Sequence, residues 1–129
     1  MHAGGFMLSV LGGLAGGCLL EFAYRSLDAG RPVRPLFVNV QMYGITGAFL
    51  YLLSRCALTF ALEAFLIVVF TTGIEFAVGY GYYRATGIRL WDYSGYRYNF
   101  RGFVTPRFSL YWLALGLVYL YGVLPLLVG

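Results

Sequence analysis

Charge is scarce in this chain: Asp, Glu, Lys and Arg together make up 11% of 129 residues, about half the share a soluble domain carries. Lysine is missing altogether, so the net charge of +4 comes from nine arginines set against five acids. Those arginines cluster where apolar runs end, a distribution that suits anionic headgroups and topology rather than nucleic acid. Histidine is nearly missing too. His2 stands alone, which leaves no histidine-based metal site and no Ser-His-Asp arrangement. Cys18 and Cys56 are too few for a disulfide framework. The first is expected as a small buried residue inside an apolar run and the second as an interfacial one.

What is present is apolar: 60% of the residues are hydrophobic. Four stretches come near the ~20 residues that a bilayer-spanning helix needs, at about 5–27, 36–53, 57–80 and 108–128. The fold expected is all-α, an integral membrane four-helix bundle forming one transmembrane domain over 1–129. Met1 to Gly5 lacks a basic n-region, and the run after it is too long and glycine-rich for a cleaved signal peptide, so it is expected to stay as the first helix. Pro125 lies close enough to the end of the last span to leave it undisturbed.

The first span carries Gly12, Gly13, Gly16 and Gly17. Gly12-x-x-x-Gly16 and Gly13-x-x-x-Gly17 are both small-xxx-small pairs, which let another helix approach closely in lipid. Continuing by fours from Gly13 gives Gly17, Glu21 and Arg25, all on one helix face. Packing accounts for the glycines but not for Glu21. The second span opens with Asn39 and Gln41, and Gly44 and Ala48 form a further small pair. The third span carries Glu63, Thr71, Thr72 and Glu75.

Four spans put both long polar loops on one side and both termini on the other. Arg31, Arg34, Arg84, Arg89, Arg97, Arg101 and Arg107 lie on the loop side, with Arg25 just inside, and only Arg55 lies on the other. The positive-inside rule then predicts cytoplasmic loops and outside termini, in a plasma (inner) membrane. At 1.5 Å per residue, Glu21, Glu75, Asn39 and Gln41 all fall in the cytoplasmic half. Charged residues at such depth are costly and face a partner or a water-filled cavity. One reading pairs Glu21 with Arg25, and Glu75 with an arginine of the loop such as Arg89 or with the loop's polar groups. The other gathers these residues, with Asp92, into a polar vestibule for a cation or polar substrate.

The polar segment 84–107 between the third and fourth spans is dense in aromatics and arginines, as an interfacial belt is. Within it Trp91-Asp92-Tyr93-Ser94 stands out, because Asp92 or Ser94 can accept from nearby backbone N–H groups and fix a turn or start a helix.

Together these residues carry a resemblance. A glutamate late in the first span is followed by Gly30-Arg31-Pro32-Val33-Arg34, then Tyr43-Gly44, then Glu75 and Gly79. Gly87-Ile88-Arg89-Leu90-Trp91-Asp92-Tyr93-Ser94 follows, with Asn99, Gly102, Ser109 and Trp112. This order resembles the family of small membrane proteins described as Putative ABC-transporter type IV permeases, from about Gly17 into the fourth span. Two departures are present: Gly17-Cys18-Leu19-Leu20 stands where the family has a Trp before the glutamate, and Leu113 replaces a Gly after Trp112. The resemblance implies a transport permease. The chain has no Walker motif, so an ATPase engaged by it would be a separate chain.

Two functions follow. The first is a permease-like transport component, self-associating through its glycine faces, with a cytoplasm-facing polar site. The alternative is an accessory or assembly subunit of a larger membrane complex, docking by the glycine stripe. An enzyme acting on lipid is not expected, since Asp92 and Ser94 have no His or Cys partner. No cofactor, metal or nucleic-acid partner is expected; the partners are the bilayer, further copies and other membrane subunits.

Overall fold

The computed structural model describes residues 3–129, so His2 lies outside the described residues. The helices are α1 (Ala3–Ala29), α2 (Phe37–Ser54), α3 (Phe60–Thr86), α4 (Pro106–Val118) and α5 (Leu124–Val128), with a π-helical turn at Tyr119–Val123 joining the last two. Among the described residues there is no β-strand, only an isolated bridge between Phe100 and Val104. Ala3–Ala29, Phe37–Ser54, Phe60–Thr86 and Pro106–Val128 are each long and apolar enough to cross a membrane. Large apolar side chains are exposed along them, Leu19 at 71%, Leu27 at 83% and Phe37 at 76%. A surface of that kind suits lipid rather than water. The chain is an all-α membrane protein.

The helix ends follow local chemistry. Gly30 takes the left-handed conformation after α1, and Arg31 N–H returns to the Ser26 carbonyl at 3.2 Å, the bond pattern that closes a helix C-terminus. The third helix starts and ends later than the 57–80 expected. Thr59 caps it, its hydroxyl accepting from Leu62 N–H, and Gly81 does not interrupt it. The stop comes at Gly87, the first left-handed residue, whose N–H bonds the Tyr83 carbonyl at 2.7 Å. The loop is correspondingly shorter, 87–105. At its far end Thr105 Oγ1 accepts from Arg107 N–H at 3.0 Å, and Pro106 takes the first helical position, where its missing donor does no harm.

The chain divides into two compact units, one formed by residues up to Ala57 with Tyr119–Gly129, the other by Leu58–Val118. In the first, α1 and α2 run antiparallel along two stripes spaced by four. Ser9, Gly13, Gly17 and Glu21 are the buried residues of α1. A Cβ on Gly13 would strike the Tyr43 backbone, one on Gly17 the Tyr43 ring, and one on Gly47 the Ser9 carbonyl. Ser9 Oγ donates to the Gly47 carbonyl at 2.6 Å. Close backbone approach of this kind is what holds helices together when lipid supplies no hydrophobic drive. Gly12 faces elsewhere, towards Tyr119 and Leu127, and Gly16 has open space beside it. Cys18, next to Gly17 but off the stripe, is exposed rather than buried.

Pro125 does not leave the last helix undisturbed. It has no N–H for the carbonyl one turn back, and the widened π-turn lies just ahead of it. Tyr119, the first residue of that turn, donates its hydroxyl to the Ser9 carbonyl at 2.7 Å.

In the second unit α3 buries Glu63, Ile67, Thr71, Glu75 and Gly79, again one residue in four. Antiparallel α4 meets this helix with Ser109 bonded to Thr72 at 2.7 Å and with Gly116 against Ile67. Beyond Glu75, about 16 Å of α3 remains. The loop, rather than α4, packs along it.

Candidate functional site

The loop is built to fold back on α3. Tyr93 N–H bonds the Gly102 carbonyl at 2.8 Å, and Phe100 N–H bonds the Val104 carbonyl at 2.9 Å, closing 93–104 into a compact turn. Asn99 staples it, accepting from Gly102 N–H at 2.7 Å and donating to the Tyr96 carbonyl at 2.9 Å. Gly102 has φ 76°, and a Cβ there would meet Arg89 Nη1 and Asp92 Oδ1, so both its conformation and its surroundings require glycine.

Aromatic packing anchors the turn to α3. Phe103, 2% exposed, lies edge-on to Phe76 and Tyr80. Trp91 packs where Gly79 has no side chain, and its Nε1–H donates to the Phe103 carbonyl at 2.8 Å. Arg89, one of the partners expected for Glu75, does not pair with it. Its guanidinium lies over Phe103 at 4.4 Å and Tyr83 at 4.9 Å, donates to the Arg101 carbonyl and stands 3.9 Å from Asp92. Tyr83 is two turns farther along the α3 face than Glu75, which is why the arginine ends there.

Asp92 is exposed and turns the chain by accepting from Ser94 N–H at 2.9 Å. Its carboxyl is held below the usual aspartate range, chiefly by that backbone N–H, then by the Ser94 side chain, with a smaller contribution from Arg89.

With Trp91 and Asp92 so fixed, Tyr93 is directed inward. Its ring stacks on Phe108 at 4.6 Å, and its hydroxyl donates to Glu75 Oε2 at 3.2 Å. Trp112 of α4 donates its Nε1–H to the same oxygen at 3.0 Å. Glu75 is 3% exposed, and its other oxygen, Oε1, is buried without a hydrogen-bond partner among the described residues. An unsatisfied polar atom of this kind costs free energy, more so for a carboxylate.

The first unit holds a second carboxylate. Glu21 Oε1 accepts from Arg25 Nε at 2.6 Å and from Asn39 Nδ2 at 2.8 Å, and Asn39 Oδ1 is buried without a hydrogen-bond partner among the described residues. Gln41 is half-buried and makes no hydrogen bond with either; two positions from Asn39, it faces a different side of α2. Glu21 and Glu75 thus belong to different units, and each finds its partners within its own.

The stretches that shape the second unit are Gly79, Trp91 to Ser94, Asn99, Gly102, Ser109 and Trp112. The pattern of the family described as Putative ABC-transporter type IV matches residues 7–129. The chain belongs to that family. No curated protein and no solved structure matches it. In this type IV family member, the residues carrying the resemblance have concrete tasks: Gly79 admits Trp91, Asp92 and Asn99 fold the turn, Gly102 clears Arg89, and Tyr93 and Trp112 close on Glu75. Sequence reasoning missed Phe108 as the platform for Tyr93 and Ser9 with Tyr119 as a polar link. The one-in-four spacing from Ser9 to Glu21 was the signal available for Ser9.

Proposed function

We propose that this membrane protein is the permease-like component of a transport system, with Glu75 at the centre of its polar site. The observation that carries this reading is the half-satisfied carboxylate: one oxygen is held by Tyr93 and Trp112, and the other is buried with no hydrogen-bond donor among the described residues. An ionisable group kept inside a membrane segment at such cost marks a pathway for an ion or polar solute. A cation, a proton or a donor group of a substrate satisfies Oε1, and Tyr93 makes the loop responsive to that occupancy. The loops face the cytoplasm and the termini the outside, on the arginine asymmetry. Glycine-lined faces support association with further copies or other membrane subunits, a separate ATPase among them. Passage of an ion down an imposed gradient past Glu75 needs no ATPase. Asp92 and Ser94 are given no catalytic role, since the Asp92 carboxylate is engaged in holding a turn.

The test is flux in proteoliposomes loaded with a pH-sensitive dye, under imposed sodium, potassium or proton gradients. Flux present in the wild type and lost in E75Q supports the site. Rates in the wild type equal to those in E75Q and in empty liposomes remove it. The second reading, an accessory subunit, is favoured by Glu21, whose Oε1 is held by both Arg25 and Asn39 as a structural lock would be. That reading predicts co-purification in one stoichiometric complex that E75Q leaves unchanged.

A further inference from the structure

Between α3, α4 and the turn of the loop lies a groove of about 420 Å³. Its walls are largely apolar, from Phe100, Val104 and Pro106, and Arg97 is the one charged residue among those lining it. The other polar groups are already bonded to protein. Thr72 and Ser109 hydrogen-bond each other, Asn99 is held at both ends by the turn, and Thr105 caps α4. Arg97 differs. Its guanidinium lies 5.3 Å from the Tyr98 ring and has no carboxylate partner among the described residues.

The surroundings share this imbalance. Segment 84–107 holds five arginines and one acid. Arg84 and Arg101, like Arg97, rest on ring faces, over Tyr80 and Phe100, without an ion pair among the described residues. An apolar groove with one uncompensated guanidinium, beside helices that cross a membrane, matches a molecule with an apolar body and a single anionic group. We propose that the groove binds an anionic phospholipid, its phosphate held by Arg97 and its apolar end against Phe100, Val104 and Pro106. Arginine suits this task because its planar fork offers paired donors to phosphate oxygens. Such a lipid touches both α4, at Pro106, and the turn, at Phe100 and Val104, and so bears on how firmly the loop is held.

The experiment uses the full chain in phosphatidylcholine nanodiscs containing a minority of phosphatidylglycerol. The protein is then released into detergent, and retained lipid is counted by native mass spectrometry. The wild type is expected to keep phosphatidylglycerol in preference to phosphatidylcholine. R97Q is expected to lower that retention about fivefold, the weight of one arginine near an anionic surface. V104W, which fills the groove and leaves Arg97 in place, is expected to lower it as well, and R84Q to leave it unchanged. Retention in R97Q equal to the wild type overturns the proposal. Equal losses in R84Q, R97Q and R101Q also overturn it, since they reveal a diffuse field and no site. Displacement of the lipid by inorganic phosphate, undiminished in V104W, assigns Arg97 to a free anion and overturns it too. If V104W does not fold, R97Q against R84Q decides alone, both positions being exposed.

Discussion

Tyr93 reaches from the loop to Glu75 on α3, placing its hydroxyl 3.2 Å from the carboxylate while its ring stacks on Phe108 of α4. One side chain thus connects the loop, the buried acid and the fourth span. If transport passes by Glu75, the state of that carboxylate and the position of the loop are linked through this contact.

Tyr93→Phe keeps the stack and removes the hydroxyl. It is expected to destabilise the loop by about 1–2 kcal/mol, the usual cost of a lost bond to a buried polar group. The Tyr93 amide, bonded to the Gly102 carbonyl, reports this as faster hydrogen exchange. Tyr93→Ala removes the stack as well and should open the loop further. Protection in Tyr93→Phe equal to that of the wild type would show that the hydroxyl holds nothing.

Gly17→Leu is expected to separate α1 from α2, because any Cβ there meets the Tyr43 ring. The cost should fall at about 1–3 kcal/mol, as for overpacked cores, and appear as a lower unfolding temperature in detergent. Gly16→Leu, with open space beside Gly16, should fold as the wild type does. Equal loss in both variants would mean that the face chosen by the packing is wrong.

The Asp92 turn should respond to acid. Its folded pKa lies below the ordinary value, so its contribution is complete above the ordinary aspartate range, about pH 4. It is lost as pH falls through the lower folded value. Proteolysis of the loop should therefore accelerate at low pH in the wild type. Asp92→Asn keeps an oxygen for Ser94 N–H and should flatten that dependence. A pH response unchanged in this variant would place its origin in another group.

Orientation is open to cysteine labelling. Cys18 and Cys56 are both exposed and must first be replaced. Ser94→Cys, on an exposed turn, should then resist an impermeant reagent added to intact cells and react once the membrane is opened. Reaction from outside would reverse the topology.

Much of this protein was legible in its sequence because lipid restricts the choices. Backbone groups in a bilayer must be satisfied within the segment, so four apolar runs of sufficient length mean four helices. Helical geometry then set Gly13, Gly17, Glu21 and Arg25 on one face, and the Arg25–Glu21 bond follows from that spacing. Asp92 and Ser94 were read as able to accept from backbone N–H groups and fix a turn or start a helix, and the turn, with Asp92 accepting from Ser94 N–H, is what forms.

Other features depended on contacts that no local rule contains. Two small-xxx-small pairs sit one residue apart in α1, and only the meeting with Tyr43 selects Gly13 and Gly17 over Gly16. The third span was expected to end at 80, but α3 runs on through Gly81 and stops only where the backbone turns left-handed, at Gly87. Glu75 was expected to meet an arginine or the polar groups of the loop; Tyr93 is such a group, whereas Trp112 of α4 was not foreseen. Charge alone favours an arginine, yet Arg89 is held two turns away over Phe103 and Tyr83, and the donors are Tyr93 and Trp112. Composition and period determine which segments cross the membrane and which faces they bury. Which donor reaches a buried acid is decided by how the loop folds back along α3, since a hydrogen bond requires a donor within about 3 Å and sequence separation carries no such distance.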